Sequence, residues 1–181
     1  MSEVQGQSAG RKPWMIDIDG IRKFLPHWYP ILLVDRILDI TTPVAPKGLT
    51  ASDDKIGIRV TGIKALSFGE SVFQGHFPEQ SIFPGVQIIE SMAQVACFAV
   101  YPFLQPGMPD HGGKFSCMLA GVDGARFRRP VTPGDILRIE AEVTKFRASV
   151  WGFRCVATVD GQKVAEADIL ANLVHQPGGA Q

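Results

Sequence analysis

His76 and Glu90 are the side chains in this sequence best suited to acid–base chemistry. His76 stands in Gly75-His76-Phe77-Pro78, and an imidazole exchanges its proton near neutral pH. Glu90 stands in an otherwise apolar stretch, where a carboxylate is costly unless paired or used. A carboxyl group in apolar surroundings holds its proton more readily and can act as an acid. Gln94 follows at i+4, within hydrogen-bonding reach of Glu90 on a helix. Phe83-Pro84-Gly85-Val86 opens that stretch. Backbone N–H groups at a helix start are unpaired donors with the positive end of the dipole behind them, so those near Gly85 can polarise a carbonyl oxygen. Taken singly, a His before a helix is more often structural, and a Glu in a helix more often solvated. Their occurrence together, around a Pro-Gly helix opening, favours a site.

The elements that must position these groups follow from pattern and punctuation. Pro84 to Tyr101 reads as one long helix, with Pro84 in its first turn and Pro102 marking its other end. Val86, Ile88, Ile89, Met92, Val95, Ala96, Phe98, Ala99 and Val100 cover most of its circumference, so it is a buried helix. It would be about 27 Å long, and Glu90 and Gln94 interrupt it, so it suits a core and not a membrane. A short helix is expected within Pro13–Phe24, capped by Asp17 or Asp19. Ile31–Ile40 and Lys55–Leu66 read as strands, with residues 41–54 a loop between them. Gln105–Lys114 is a Pro/Gly loop. Beyond it, Leu137, Ile139, Ala141 and Val143 alternate with Arg138, Glu140 and Glu142. The alternation returns at Trp151–Val159 and Ala165–Leu173, with Asp160-Gly161 as a hairpin turn. The fold class is therefore α+β: an antiparallel sheet packed on, and curling around, one buried helix.

Composition narrows the function. The 181 residues suffice for one domain, expected over 13–175, with residues 1–12 a loose arm and 176–181 a frayed tail. Eighteen basic and eighteen acidic residues give a net charge of zero, which disfavours nucleic-acid binding. Cys97, Cys117 and Cys155 are an odd number without CxxC spacing, and the four histidines are dispersed. Disulfide scaffolds and zinc sites are thus disfavoured, and no metal is expected. GxSxG, P-loop and GxGxxG motifs are absent. No secretory signal and no uninterrupted apolar span is present, so a cytoplasmic protein is expected.

The chain resembles the 3-hydroxyacyl-acyl-carrier-protein dehydratases, in particular the non-isomerising Z-type of bacterial fatty acid synthesis. The resemblance is carried by residues 25–36 (LPHWYPILLVDR), Gly75-His76-Phe77-Pro78, Ile82-Phe83-Pro84-Gly85-Val86, Glu90-Ser91-Met92-Ala93-Gln94, Arg126-Phe127-Arg128-Arg129-Pro130-Val131 and Pro133-Gly134-Asp135. It implies a hot-dog fold, a long antiparallel sheet wrapped around one helix. It implies that His76 and Glu90 are the catalytic pair, 14 positions apart (90 − 76), contributed by opposite subunits of a dimer. Glu at the helix position, where the isomerising A-type has Asp, points to the Z-type. By the same resemblance His76 takes the C2 proton, Gly85 stabilises the enolate, Glu90 protonates the departing hydroxyl and Gln94 orients Glu90. No cofactor is implied beyond the phosphopantetheine of an acyl carrier protein, and the assembly is a dimer or a trimer of dimers.

Ile82, Phe83, Val86 and Met118 are candidates for an acyl tunnel, or ordinary core. Arg126, Arg128 and Arg129 are candidates for docking an acidic carrier, or a solvated edge. Trp28, Phe83, Gly69–Phe73 and Cys117-Met118-Leu119 depart from the usual family residues and leave open the chain-length preference and the choice between fatty acid synthesis and a specialised lipid or polyketide pathway. A hot-dog thioesterase and a non-catalytic acyl-carrier binding module are the alternatives; retention of both His76 and Glu90 speaks against the latter.

Overall fold

The computed structural model describes residues 13–107 and 114–176. The expected arm at 1–12 and residues 177–181 of the expected tail lie outside the described residues, as do 108–113 of the Pro/Gly loop. Gln176 ends the last strand.

Six strands form one antiparallel sheet: β1 (Arg36–Thr41), β2 (Arg59–Ala65), β3 (Lys114–Phe127), β4 (Ile136–Arg147), β5 (Val150–Val159) and β6 (Gln162–Gln176). Their order across the sheet is β1-β2-β4-β5-β6-β3. Helix α1 (Ile18–Phe24) precedes them, and α2 (Gly85–Cys97) packs on the concave face against β2, β4, β5, β6 and β3. This is the sheet around one helix that the residue patterns imply.

The period of two explains the sheet. Leu137, Ile139, Ala141 and Val143 on β4 are buried against α2, while Arg138, Glu140 and Glu142 face outward. Asp160 and Gly161 both take positive φ, +49° and +74°, as the tight β5–β6 turn requires. From the helix, Ile88, Met92, Val95 and Ala96 enter the core. They sit close to the sheet because β2 carries Gly62: a Cβ there would lie 2.8 Å from the Val95 side chain.

Three of the boundaries that differ from the sequence expectation have a clear physical reason. The α-helix stops at Cys97 and continues as a 3-10 helix, Phe98–Leu104, which runs past Pro102. Proline cannot donate to the carbonyl four residues back, so the coil tightens there. An 18-residue window within Gly85–Leu104 is apolar enough to cross a membrane by composition, but 67% of that window is buried inside the protein. The first strand begins at Arg36, not Ile31, because the backbone of Ile31 and Leu33 bonds the Gln94 side chain instead of a neighbouring strand. The second begins at Arg59, because Lys55 is wholly buried and its segment turns. Lys55 Nζ donates to the Gly48 carbonyl (2.7 Å) and to Asp54, and stands 4.0 Å from the Phe103 ring centre. At α1 the cap is Asp17, whose carboxylate accepts from Gly20 N at 3.0 Å.

Candidate active site

A buried lysine leads to His76. Lys64, on β2, donates to Glu70 Oε1 (2.9 Å) and the Ala65 carbonyl (3.0 Å). Asp35 accepts from Ala65 N at 2.7 Å and lies 3.5 Å from Lys64 Nζ. This network ties the Val34-Asp35-Arg36 motif to the turn before a 3-10 helix, Ser71–Gln74, which ends at Gly75. The next residue is His76, whose backbone N–H donates to the Val72 carbonyl at 3.0 Å.

His76 is fixed in one protonation pattern by its neighbour. Its Nδ1 lies 2.8 Å from the Ile82 carbonyl, which can only accept. Nδ1 therefore carries the proton in the neutral ring, and Nε2 presents a lone pair, the form a base needs. Phe77 stacks on the ring, with centroids 3.9 Å apart.

His76 lines an open cavity of about 550 Å³ with Ile82, Phe83, Gly85, Val86, Phe127, Arg128 and Arg129. Phe83 is buried at its wall and held by a 2.7 Å bond from its N–H to the Val131 carbonyl. Val86 is exposed. Pro84 caps α2 through its carbonyl, which accepts from Gln87 N (2.9 Å) and Ile88 N (3.1 Å). The N–H groups of Gly85 and Val86 form no backbone hydrogen bond among the described residues, so they remain donors at the cavity. Phe127 lies across them, against the α-carbon of Gly85.

Glu90 lines a different and smaller cavity, about 80 Å³, with His27, Gln94, Cys97, Cys117 and Leu119. Gln94, only 1% exposed, is the hub: Nε2 donates to Glu90 Oε1 (2.8 Å) and the Ile31 carbonyl (2.6 Å), and Oε1 accepts from Leu33 N (2.8 Å). Gln94 thus ties Glu90 to the backbone of Ile31 and Leu33. The two cavities share no lining residue: His76 and Glu90 line different cavities of the chain.

Met118 lines neither cavity; it is exposed on β3, and its neighbours Cys117 and Leu119 border the Glu90 cavity. Arg128 and Arg129 stand at the mouth of the larger cavity, paired with Glu166 and Gln162. Arg126 lies outside it and bonds the Ala125 carbonyl. Hydrogen bonds from Lys163 and Arg128 hold the Glu166 carboxyl at about 2, well below the usual carboxylate value. His27 is the site residue that sequence reasoning left without a role. Its Nε2 is 3.4 Å from Glu90 Oε1. Among the described residues no three His, Cys, Asp or Glu side chains cluster as a metal site would need.

Residues 25–168 match the FabA-like domain. The chain belongs to this family. Similar relatives are proteins named 3-hydroxyacyl-[acyl-carrier-protein] dehydratase FabZ. That of Granulibacter bethesdensis is 46% identical over 180 residues, covering 99% of this chain and 94% of the relative. That of Anaeromyxobacter dehalogenans is 44% identical over 170 residues, covering 94% and 97%. Among solved structures, the dehydratase heterocomplex ApeI:P from Xenorhabdus doucetiae superposes with a TM-score of 0.60 at 18% identity, covering 94% of each chain. The fluoroacetyl-CoA thioesterase FlK superposes with a TM-score of 0.54 at 15% identity, covering 68% of this chain and 90% of that one. At those identities the likeness is one of fold: the hot-dog fold serves both chemistries.

Proposed function

We propose that this member of the family is a hydro-lyase of fatty acid biosynthesis, removing water from 3-hydroxyacyl thioesters on acyl carrier protein to give trans-2-enoyl thioesters. Relatives of that name over nearly the whole chain support the reaction. The geometric observation that carries it is His76: Nδ1 is committed to the Ile82 carbonyl, and its ring shares a cavity with the free N–H groups at Gly85.

The substrate thioester lies at the start of α2. Nε2 of His76 takes the C2 proton, and the electrons move toward the thioester oxygen, where the Gly85 N–H stabilises the enolate. As the C2–C3 double bond forms, the C3–O bond breaks, and the hydroxyl leaves as water with a proton from Glu90. Gln94 holds Glu90 in place. The balance is one water lost with no change of oxidation state, so the reaction calls for no redox cofactor.

The Glu90 that completes a site comes from a second subunit. β3 is the last strand in the sheet and pairs with β6 on one side, while Leu119 and Phe127 on it are exposed. A second copy docked on the free edge of β3 covers these residues and joins one protomer's His76 cavity to the other's Glu90 cavity. In this reading residues 13–175 are one domain working in the cytoplasm. Ile82, Phe83 and Val86 contact the acyl chain or its pantetheine arm, and Arg128 and Arg129 meet the acidic carrier.

The test is an assay of 3-hydroxyacyl and saturated acyl thioesters on acyl carrier protein, over a range of chain lengths. Enoyl absorbance from the hydroxyacyl substrates without release of free thiol is expected. Thiol release from both, without enoyl product, would instead mark a thioesterase.

A further inference from the structure

His27 takes no part in the elimination set out above, yet it stands beside the second reacting group. Its Nε2 lies 3.4 Å from Glu90 Oε1, and both residues line the small cavity with Gln94. That distance exceeds a tight hydrogen bond and falls in the range that closes when substrate packs a site. The other ring nitrogen, Nδ1, is buried with no hydrogen-bond partner among the described residues.

These two facts together select a tautomer. A neutral imidazole has one N–H and one lone pair. With the proton on Nδ1, a buried N–H would be orphaned while the Nε2 lone pair faced an oxygen of Glu90. With the proton on Nε2, the donor stands 3.4 Å from Oε1 and a lone pair alone is left unsatisfied, the milder penalty.

Oε1 already accepts from Gln94 Nε2 at 2.8 Å, whereas Oε2 takes no hydrogen bond among the described residues. We propose that His27 is a positioning residue for Glu90. With Gln94, it gathers both donors onto Oε1 and so reserves Oε2 for the proton that leaves with the hydroxyl. The loop is built to put it there. The Trp28 carbonyl accepts from Ile31 N (2.8 Å) and Leu32 N (3.0 Å), and Gln94 grips the two ends of the following stretch at Ile31 and Leu33. One glutamine thus fixes the helix carboxyl and the loop that brings the imidazole to it. The remaining titratable groups lining the cavity are the thiols of Cys97 and Cys117. This inference rests on the dehydratase reading for the fate of the proton, but not for the His27–Glu90 contact itself.

The experiment compares wild type, His27→Phe and His27→Gln by steady-state dehydration, alongside long-range proton–nitrogen NMR of histidine-labelled wild type and Glu90→Gln. Glutamine restores a donor near Nε2; phenylalanine keeps the ring shape without one. His27→Phe should lose at least tenfold in kcat with KM within twofold, His27→Gln should recover most of that loss, and wild-type His27 should show the Nε2–H tautomer with signals that move in Glu90→Gln. A folded His27→Phe protein with kcat within twofold of wild type overturns the proposal. So does equal impairment of both variants, a loss confined to KM, or an Nδ1–H tautomer. If His27→Phe does not fold, the NMR comparison decides alone. A wild type that shows the Nε2–H tautomer and the Glu90→Gln response, yet dehydrates nothing, defeats the dehydratase reading and leaves the contact standing.

Discussion

A side-chain carbon added at Gly85 would stand 2.8 Å from two ring carbons of Phe127 and 3.1 Å from a third. The glycine lets an aromatic ring lie on the start of α2, beside the N–H groups assigned to the enolate. Gly85→Ala raises helix propensity by about 1 kcal/mol, so folding should not suffer on that account. The ring, however, must move. The expected outcome is a loss of roughly tenfold or more in kcat/KM, in line with disturbing an oxyanion donor. Adding Phe127→Leu should return part of it. Full turnover in Gly85→Ala would mean the close approach has no bearing on the reaction.

At the mouth of the same cavity, Arg128 is already held by Glu166, which leaves Arg129 as the cleaner probe of carrier docking. Arg129→Glu should raise KM several-fold for carrier-bound substrate and leave a short thioester mimic unaffected, as expected for charge complementarity at a rim. Equal effects on the two substrates would remove the docking role.

The Glu166 cluster also makes a pH prediction. Its folded value, about 2, lies below the ordinary 4.5, with the Lys163 hydrogen bond as the first cause and that of Arg128 next. A lowered carboxylate value stabilises the fold above the ordinary value, and that contribution is lost as pH falls from 4.5 toward 2. Carboxyl NMR should show Glu166 still ionised at pH 3.5. A midpoint near 4.5 would show the pairing to be absent in solution.

Thiol chemistry should divide by burial. A hydrogen bond with Cys117, together with burial, pushes the Cys97 thiol well above its usual range, and burial pushes Cys155 up to about 12. A thiolate is the reacting species, so neither should be alkylated by iodoacetamide at pH 8 in the native protein. Both should be modified once urea unfolds it, as read by mass spectrometry. Native-state modification of Cys155 would contradict the packing of β5 against its neighbours.

The loop of residues 42–58 hangs on Lys55. Replacing it with Met strands the buried carboxylate of Asp54, and breaking a buried pair on one side costs about 3–5 kcal/mol. Denaturant unfolding of Lys55→Met should register that loss, and Asp54→Asn added to it should recover a part. A change below about 1 kcal/mol would show the pair to be dispensable.

Legibility in the sequence tracked how local the cause was. Strands β4 to β6 could be read because burial on one face imposes a period of two on consecutive residues, and Asp160-Gly161 supplies the turn. The buried helix declared itself by apolar residues on most sides. The start of β1 could not be read, because what ends the strand pairing is a glutamine side chain 61 to 63 residues further along. His27 was one dispersed histidine until the fold set it 3.4 Å from Glu90. Asp54 read as the end of a loop and Lys55 as the start of a strand, since nothing adjacent in sequence reports the Phe103 ring that covers the lysine. His76 and Glu90 stood out as candidates by family resemblance; they line separate cavities of one chain, and the proposed meeting between them needs a second copy.

That meeting is tested most directly by mixing two inactive variants, His76→Ala and Glu90→Gln, each expected to lose most of its turnover as a pure protein. In a mixed dimer, one site pairs the intact His76 of one chain with the intact Glu90 of the other, and the second site carries both changes. Random exchange makes half the dimers mixed, with one working site in two, so about a quarter of wild-type activity should return. No recovery, with mixed dimers demonstrated by mass spectrometry, would contradict a site shared between subunits.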